Sequence, residues 1–265
     1  MSLKIKLLLA IVLLFTALNI DARNEKISWK IQAGLNLSQI SASEFDDIDN
    51  EYLNSFYSIR KDIVKPGFNI GFRFDYRLNN YFAFQTGLEY TTRGEKIKIN
   101  DEINCYDEYG NIIEIAPLEV SIKNTIHYFE LPILIGIRYN INHNIELQFN
   151  TGPYIAVGLG GKRDMASGSG ENNKSKSKQS FDPVPETQTQ VQIFGELDRY
   201  KPSSLGCKRF DAGWKFDLGV DIKKYYVGIA YDLGLVDIRS EKTKEFWSLG
   251  AMKNRNFSIN VGYSF

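Results

Sequence analysis

Three features of the 265-residue sequence predict an all-β fold, an eight-stranded antiparallel up-and-down transmembrane β-barrel with short periplasmic turns and long extracellular loops. Apolar and polar residues alternate in eight separate runs, the connections alternate between short and long, and the polar set is rich in glycine. Each run keeps period two over about ten residues, the length a tilted strand needs to cross a bilayer.

The first run sets Trp29, Ile31, Ala33, Leu35 and Leu37 against Lys30, Gln32, Gly34, Asn36 and Ser38. The second alternates Phe68, Ile70, Phe72, Phe74 and Tyr76 with Asn69, Gly71, Arg73, Asp75 and Arg77. Asn79-Asn80, a tight-turn pair tolerant of positive φ, leads into the third, where Phe82, Phe84, Thr86, Leu88 and Tyr90 oppose Gln85, Gly87 and Glu89. The fourth runs from Phe129 to Tyr139 with Glu130, Pro132, Leu134, Gly136 and Arg138 on its other face. Residues 140–144 join it to the fifth, Ile145 to Leu159, whose polar set includes Glu146, Gln148, Asn150, Gly152 and Gly158. The sixth, Phe210 to Ile222, interleaves Asp211, Gly213, Lys215, Asp217, Gly219 and Asp221. Lys223-Lys224 turn the chain into the seventh, Tyr225 to Leu235, with Gly228, Ala230 and Asp232 on the second face. The eighth alternates Phe257, Ile259, Val261, Tyr263 and Phe265 with Asn256, Ser258, Asn260, Gly262 and Ser264.

The other connections are long, over 41–65, 94–123, 161–208 and 237–255. An even strand count puts both termini on the short-turn side, the periplasm. A soluble lipocalin-like ligand-binding barrel is the competing architecture. Glycines on the polar face suit a narrow lumen better than a solvated wall. Aromatics also gather at both strand ends, Trp29, Tyr76, Phe82, Tyr139, Tyr225, Tyr263 and Phe265 at one and Phe68, Tyr90, Phe129, Phe210 and Phe257 at the other, as interfacial girdles do.

Lys4 and Lys6 precede an apolar run over 7–18, too short to span comfortably, so residues 1–22 are expected to be a signal peptide and 23–265 the outer-membrane barrel domain. With 32 basic and 32 acidic residues the net charge is zero, which argues against nucleic acid as a partner. Two Cys and two His in no ligand spacing give no metal site and no cofactor.

The pieces Gly34-Leu35-Asn36, Gly87-Leu88-Glu89-Tyr90, Tyr128-Phe129-Glu130-Leu131-Pro132 and Gly152-Pro153-Tyr154 resemble PorT-type outer-membrane β-barrel proteins of Bacteroidetes. So do Tyr231-Asp232-Leu233-Gly234-Leu235 and the terminal segments Asn254-Arg255-Asn256-Phe257 and Gly262-Tyr263-Ser264-Phe265. The resemblance covers nearly the whole chain beyond residue 22 and is specific for the barrel. It implies, for some members, a role as accessory to protein secretion.

Catalytic chemistry is not expected. The Gly158–Gly161 cluster lacks a following Gly-Lys-Ser/Thr and reads as the rim of the fifth strand. His127 and His143 fall at opposite ends of the fourth strand, and nothing places a His between Asp211 and Ser38. The inward set Arg73, Asp75, Arg77, Glu89, Glu130, Arg138, Glu146, Asp211, Lys215, Asp217 and Asp221 is expected to pair into a filled polar core without a conducting pore. The expected function is that of a non-enzymatic outer-membrane barrel with a structural, adhesion or envelope role. Its partners are outer-membrane lipid, the barrel-insertion machinery during assembly, and a surface or secretion partner at the loops.

Loop 41–65 carries Tyr52, Phe56 and Tyr57, and loop 161–208 holds a polar stretch over 167–180 with Lys174, Lys176 and Lys178. Within it, Thr187–Phe194 alternates and is expected to extend strands above the membrane. Phe265, ending an aromatic alternation, is expected to be an assembly signal for insertion. Cys105 and Cys207, in neighbouring loops of an oxidising compartment, are expected to form a disulfide.

Overall fold

The computed structural model describes residues 26–42, 60–106, 109, 111–169, 187–195, 204–246 and 251–265. The expected signal peptide, the aromatics of loop 41–65 and the three lysines over 174–178 lie outside these residues. The strands are β1 (Ile27–Ala42), β2 (Arg60–Ile63), β3 (Lys65–Arg77), β4 (Phe82–Tyr106), β5 (Ile112–Asn142), β6 (Ile145–Ser169), β7 (Thr187–Phe194), β8 (Ser204–Cys207), β9 (Phe210–Ile222), β10 (Tyr225–Gly234) and β11 (Met252–Ser264). Eight of them form a closed antiparallel ring in the order β1-β3-β4-β5-β6-β9-β10-β11, and β11 pairs back to β1, with Lys30 opposite Ser264.

The ring exists because period-two alternation puts one residue set on each face and closure leaves no unpaired edge. Its outer wall is apolar: Leu35, Phe68, Ile135, Leu218 and Ile259 are each half exposed or more. Phe68, Tyr90 and Phe129 form one continuous aromatic row at the loop end, with ring centroids 5.7 and 6.0 Å apart. From Phe129 to Tyr139 in the opposite row is ten residues, about 25 Å of membrane height for a strand tilted by roughly 40°. No helix among the described residues is long and apolar enough to cross a membrane, and the strands do the crossing.

The turns are built by side chains. Asn79 Oδ1 accepts from the Tyr81 and Phe82 amides at 2.8 Å, so the first turn spans 78–81 and no positive φ is used there. Among the described non-glycine residues only Lys223, in the two-residue turn between β9 and β10, is left-handed, at φ 56°. Pro132 sits inside β5, where pairing with β4 lapses between Thr86 and Glu89, and its carbonyl accepts from Thr86 Oγ1 at 2.8 Å.

The loop end departs from the expectation of long coils. β4 and β5 stay paired from the barrel to Tyr106 and Ile112, a hairpin that rises about 55 Å along the strands beyond Phe129. β2 joins its β4 side, and β6 and β7 extend its β5 side, so a standing sheet replaces three of the four expected loops in part. Thr187–Phe194 is a strand, as its alternation predicts. Between His127 and Tyr128 the register with β6 shifts by one at Leu159, a bulge at the rim the Gly158–Gly161 cluster predicts. A six-residue helix, α1 (Glu241–Phe246), capped by Ser240, is unexpected and too short for sequence periodicity to register.

Candidate functional site

The lumen is the only enclosed region in which charged side chains from most ring strands converge among the described residues, and it is filled in layers. At the turn end Arg77 meets Glu146 at 2.6 Å, Arg138 meets Asp75 at 2.6 Å, and Lys30 meets Asp221 at 3.0 Å. Midway, Arg73 holds Asp217 at 2.7 Å, and Asp217 also accepts from Asn150 at 3.0 Å and the Tyr226 hydroxyl at 3.1 Å. Tyr226 lies flat over Gly219 and Gly228, where an added Cβ would fall 2.2 and 2.1 Å from the ring and its hydroxyl. These two glycines make room for one aromatic.

The upper layer centres on Arg93. Its guanidinium, fully buried, donates to Glu130, to Asp211 at 3.1 Å and to Asp232 at 2.9 Å. Lys215 reaches Glu130 at 2.6 Å, Asp232 at 3.2 Å and Glu89 at 3.6 Å. Asn254 and Asn256 donate to Asp211 and Asp232, each at 2.9 Å. All eleven charged residues expected inside line this lumen, distributed over its three layers. Lys30, Arg93 and Asp232 complete the set. Lys30 and Asp232 stand on the polar face of their runs in the sequence, whereas Arg93 fell beyond the expected end of the third run.

Above the charges sits an apolar cap. Ile40, Ile126, Tyr128, Tyr154 and Ala156 from the ring pack with Ile193 and Phe194 of β7, with Cys207, and with Ile238. Phe194 reaches over Gly158, where an added Cβ would lie 2.1 Å from its ring. The Arg209 guanidinium stacks 4.8 Å from the centre of that ring. The mouth is thus closed by loop residues folding back, which alternation alone does not reveal.

The two cysteines are not brought together. Cys207 is a free, buried thiol in the cap, and burial pushes it up to about 11. Cys105 pairs with Glu114 near the tip of the hairpin, twelve residues beyond Arg93, about 40 Å up the strand. The expected bridge fails because β4 continues as a strand where a loop folding back on the rim was expected.

His127 lies on the outer face, where its Nδ1 is 2.7 Å from the Tyr90 hydroxyl. His143 lies in the turn at the other end, so neither reaches Asp211 or Ser38, which face the lumen. Among the described residues no group of three or more His, Cys, Asp or Glu has metal-binding placement. Phe265 ends the ring, its amide donating to the Trp29 carbonyl at 2.8 Å and its ring edge-on to Tyr263 at 5.2 Å.

No curated protein matches the chain in sequence. Among solved structures it is similar to Ail, the attachment invasion locus protein of Yersinia pestis, at 13% identity, with 91% of this chain and 99% of that chain covered and a TM-score of 0.35. It is also similar to the outer membrane protein OprG from Pseudomonas aeruginosa, at 9% identity, with 90% and 95% covered and a TM-score of 0.37. Over residues 20–240 the sequence matches the outer membrane protein beta-barrel domain, and with a closed eight-strand ring, apolar outside and charged inside, the chain belongs to that family.

Proposed function

We propose that this outer-membrane barrel is non-enzymatic and non-conducting, a rigid anchor that carries a standing sheet to the cell surface for adhesion or envelope contacts. One observation carries the reading: the lumen is filled by paired charges and closed by the Phe194 cap, while β4, β5 and β6 continue far beyond the aromatic row. A filled barrel offers substrate or ion no route, and a strand pair rising from it offers a recognition surface on a stiff base. In this reading the short turns and both termini face the periplasm.

The PorT-type segments support a narrower placement, but they fall on positions any such barrel uses. Gly34, for instance, is small because Asn260 faces it, an added Cβ lying 2.1 Å from that side chain. They therefore support the barrel more than the secretion role.

The test replaces residues 100–118 by a tight turn and compares attachment of cells carrying either form to immobilised surface glycans and matrix proteins. The truncated barrel should still show the heat-dependent gel shift of a folded barrel, and attachment should fall several-fold. Unchanged attachment removes the adhesion reading. Stable single-channel steps in planar bilayers would contradict the closed lumen.

A further inference from the structure

On the outer face of the standing sheet, just above the aromatic row, the register sets lysine against lysine. Lys96 of β4 pairs directly with Lys123 of β5, and Lys98 lies two residues further up the same face. Directly opposed residues on neighbouring strands hold their Cβ atoms about 5 Å apart, and like charges there are destabilising. Lys123 and Lys98 are exposed and Lys96 is half-buried. Beneath them is Lys65, 4% exposed, its stem 3.2 Å from where a Gly94 Cβ would be. Burial and the nearby Lys123 ammonium hold the Lys65 amine below its ordinary value, and Lys65 in turn, after burial, holds His127 below its own.

Among the described residues no carboxylate comes within ion-pair reach of Lys65, Lys96, Lys98 or Lys123. Asp164, opposite Lys123 on this face, lies 3.6 Å from Lys162. The lumen of the same protein gives nearly every cation an acid, so the contrast is specific to this face. With no ion-pair partner among the described residues, these ammonium groups stand ready for an external anion, and burial makes Lys65 costly unless one arrives.

Location selects the anion. Lys65 is three residues above Phe68 and Lys123 six above Phe129, roughly 7 to 15 Å above the membrane-facing aromatic row after allowing for strand tilt. That height is where phosphates borne on a sugar headgroup lie, and the patch is continuous with the apolar wall that the acyl chains cover. We propose that Lys96, Lys98 and Lys123, backed by Lys65, form a docking site for the phosphorylated headgroup of an outer-leaflet glycolipid. The site rests on the reading that the long-loop end faces outward.

The experiment folds the full-length protein into vesicles of phosphatidylcholine alone, or containing one-tenth bisphosphorylated lipid A, or the same lipid with its phosphates removed. Phosphorylated lipid A should raise the urea midpoint and remain bound through detergent extraction, whereas the dephosphorylated form should do neither. Lys96→Gln/Lys123→Gln should retain at least five-fold less lipid A. In plain phosphatidylcholine it should be no less stable than the parent, since a repulsive pair is removed. Lys98→Gln, on an exposed residue, gives a smaller loss in the same direction and serves if the double variant fails to fold. Equal retention by the variants, equal retention of dephosphorylated lipid, or the same midpoint shift with inorganic phosphate alone each overturns the proposal. Orientation is read separately, by labelling Lys98→Cys in a Cys105→Ser background on intact cells with an impermeant maleimide. Lack of labelling sinks the outward-facing reading even where the vesicles bind lipid A.

Discussion

Arg93→Met tests the lumen network at its centre. Lys215 still holds Glu130 and Asp232 after the change, at 2.6 and 3.2 Å. Asp211 has no such reserve: among the described residues Arg93 is its sole cation, and what remains to donate to it is neutral, Asn254 at 2.9 Å, Tyr154 at 3.4 Å and the Ala212 amide. Leaving one buried carboxylate without its partner costs about 3–5 kcal/mol. Adding Asp211→Asn removes the orphaned charge, and the double variant should recover on the order of half that loss, because the pair itself contributes far less than its breaking costs. Urea unfolding of protein folded in detergent micelles, followed by tryptophan fluorescence and by the gel shift, reads both values. An Arg93→Met variant within about 1 kcal/mol of the parent, or a double variant no better than the single, refutes the reasoning.

Phe194→Ala should open the cap at a cost of about 3 kcal/mol, seen as faster maleimide labelling of the buried Cys207 thiol, and Gly158→Leu should do the same by displacing the ring. Asp237 lies in the last loop. Burial opposes its ionisation, but bonds from the Arg239 guanidinium and amide and from the Met252 amide outweigh that and hold its carboxyl below the ordinary range. Its contribution is therefore present above about pH 4 and lost as pH falls through the lowered value, which hydrogen exchange at Arg239 and Met252 should report. Lys223→Asn should raise the free energy of urea unfolding by about 0.5–1 kcal/mol, since asparagine tolerates the left-handed φ better than lysine. Deleting Phe265 should lower outer-membrane levels more than synthesis, and unchanged levels would remove its assembly role.

The ring was legible because alternation states which face each residue takes, and closure follows from eight such runs. The inward charges were legible for the same reason, as was the rim position of the Gly158–Gly161 cluster. Arg93 was missed because apolar alternation stops at Tyr90: Thr92 bonds the Phe68 backbone in the plane of the wall, and beyond it the outer face no longer meets lipid. Without lipid there is no demand for apolar residues, so the strands above the membrane lose the signal that identifies those within it. The same gap hid the β4–β5 hairpin and with it the separation of Cys105 from Cys207. Phe194 and Ile193 were legible as part of a strand but not as a lid, since their partners on β5 and β6 are far away in sequence.

The lumen charges do more for register than for stability. Arg93 on β4 reaches β9 and β10 as well as its neighbour β5, Arg73 on β3 reaches β9, and Lys30 on β1 reaches β9, so all but one of these pairs tie strands that are not neighbours in the wall. β9 alone presents Asp211, Lys215, Asp217 and Asp221 to the lumen. A one-residue slip of β9 would turn all four toward lipid, where a midplane lysine costs about 2–4 kcal/mol and acids somewhat less. Lys215 and Asp217 near mid-height carry most of the penalty and Asp211 and Asp221 near the interfaces add little, for a total on the order of 5 kcal/mol, the lower end of the whole stability of a small domain. The backbone ladder cannot supply that discrimination, because every register makes nearly the same number of hydrogen bonds. Paired charges inside and apolar side chains outside are thus one device, in which the membrane enforces the register that the lumen rewards.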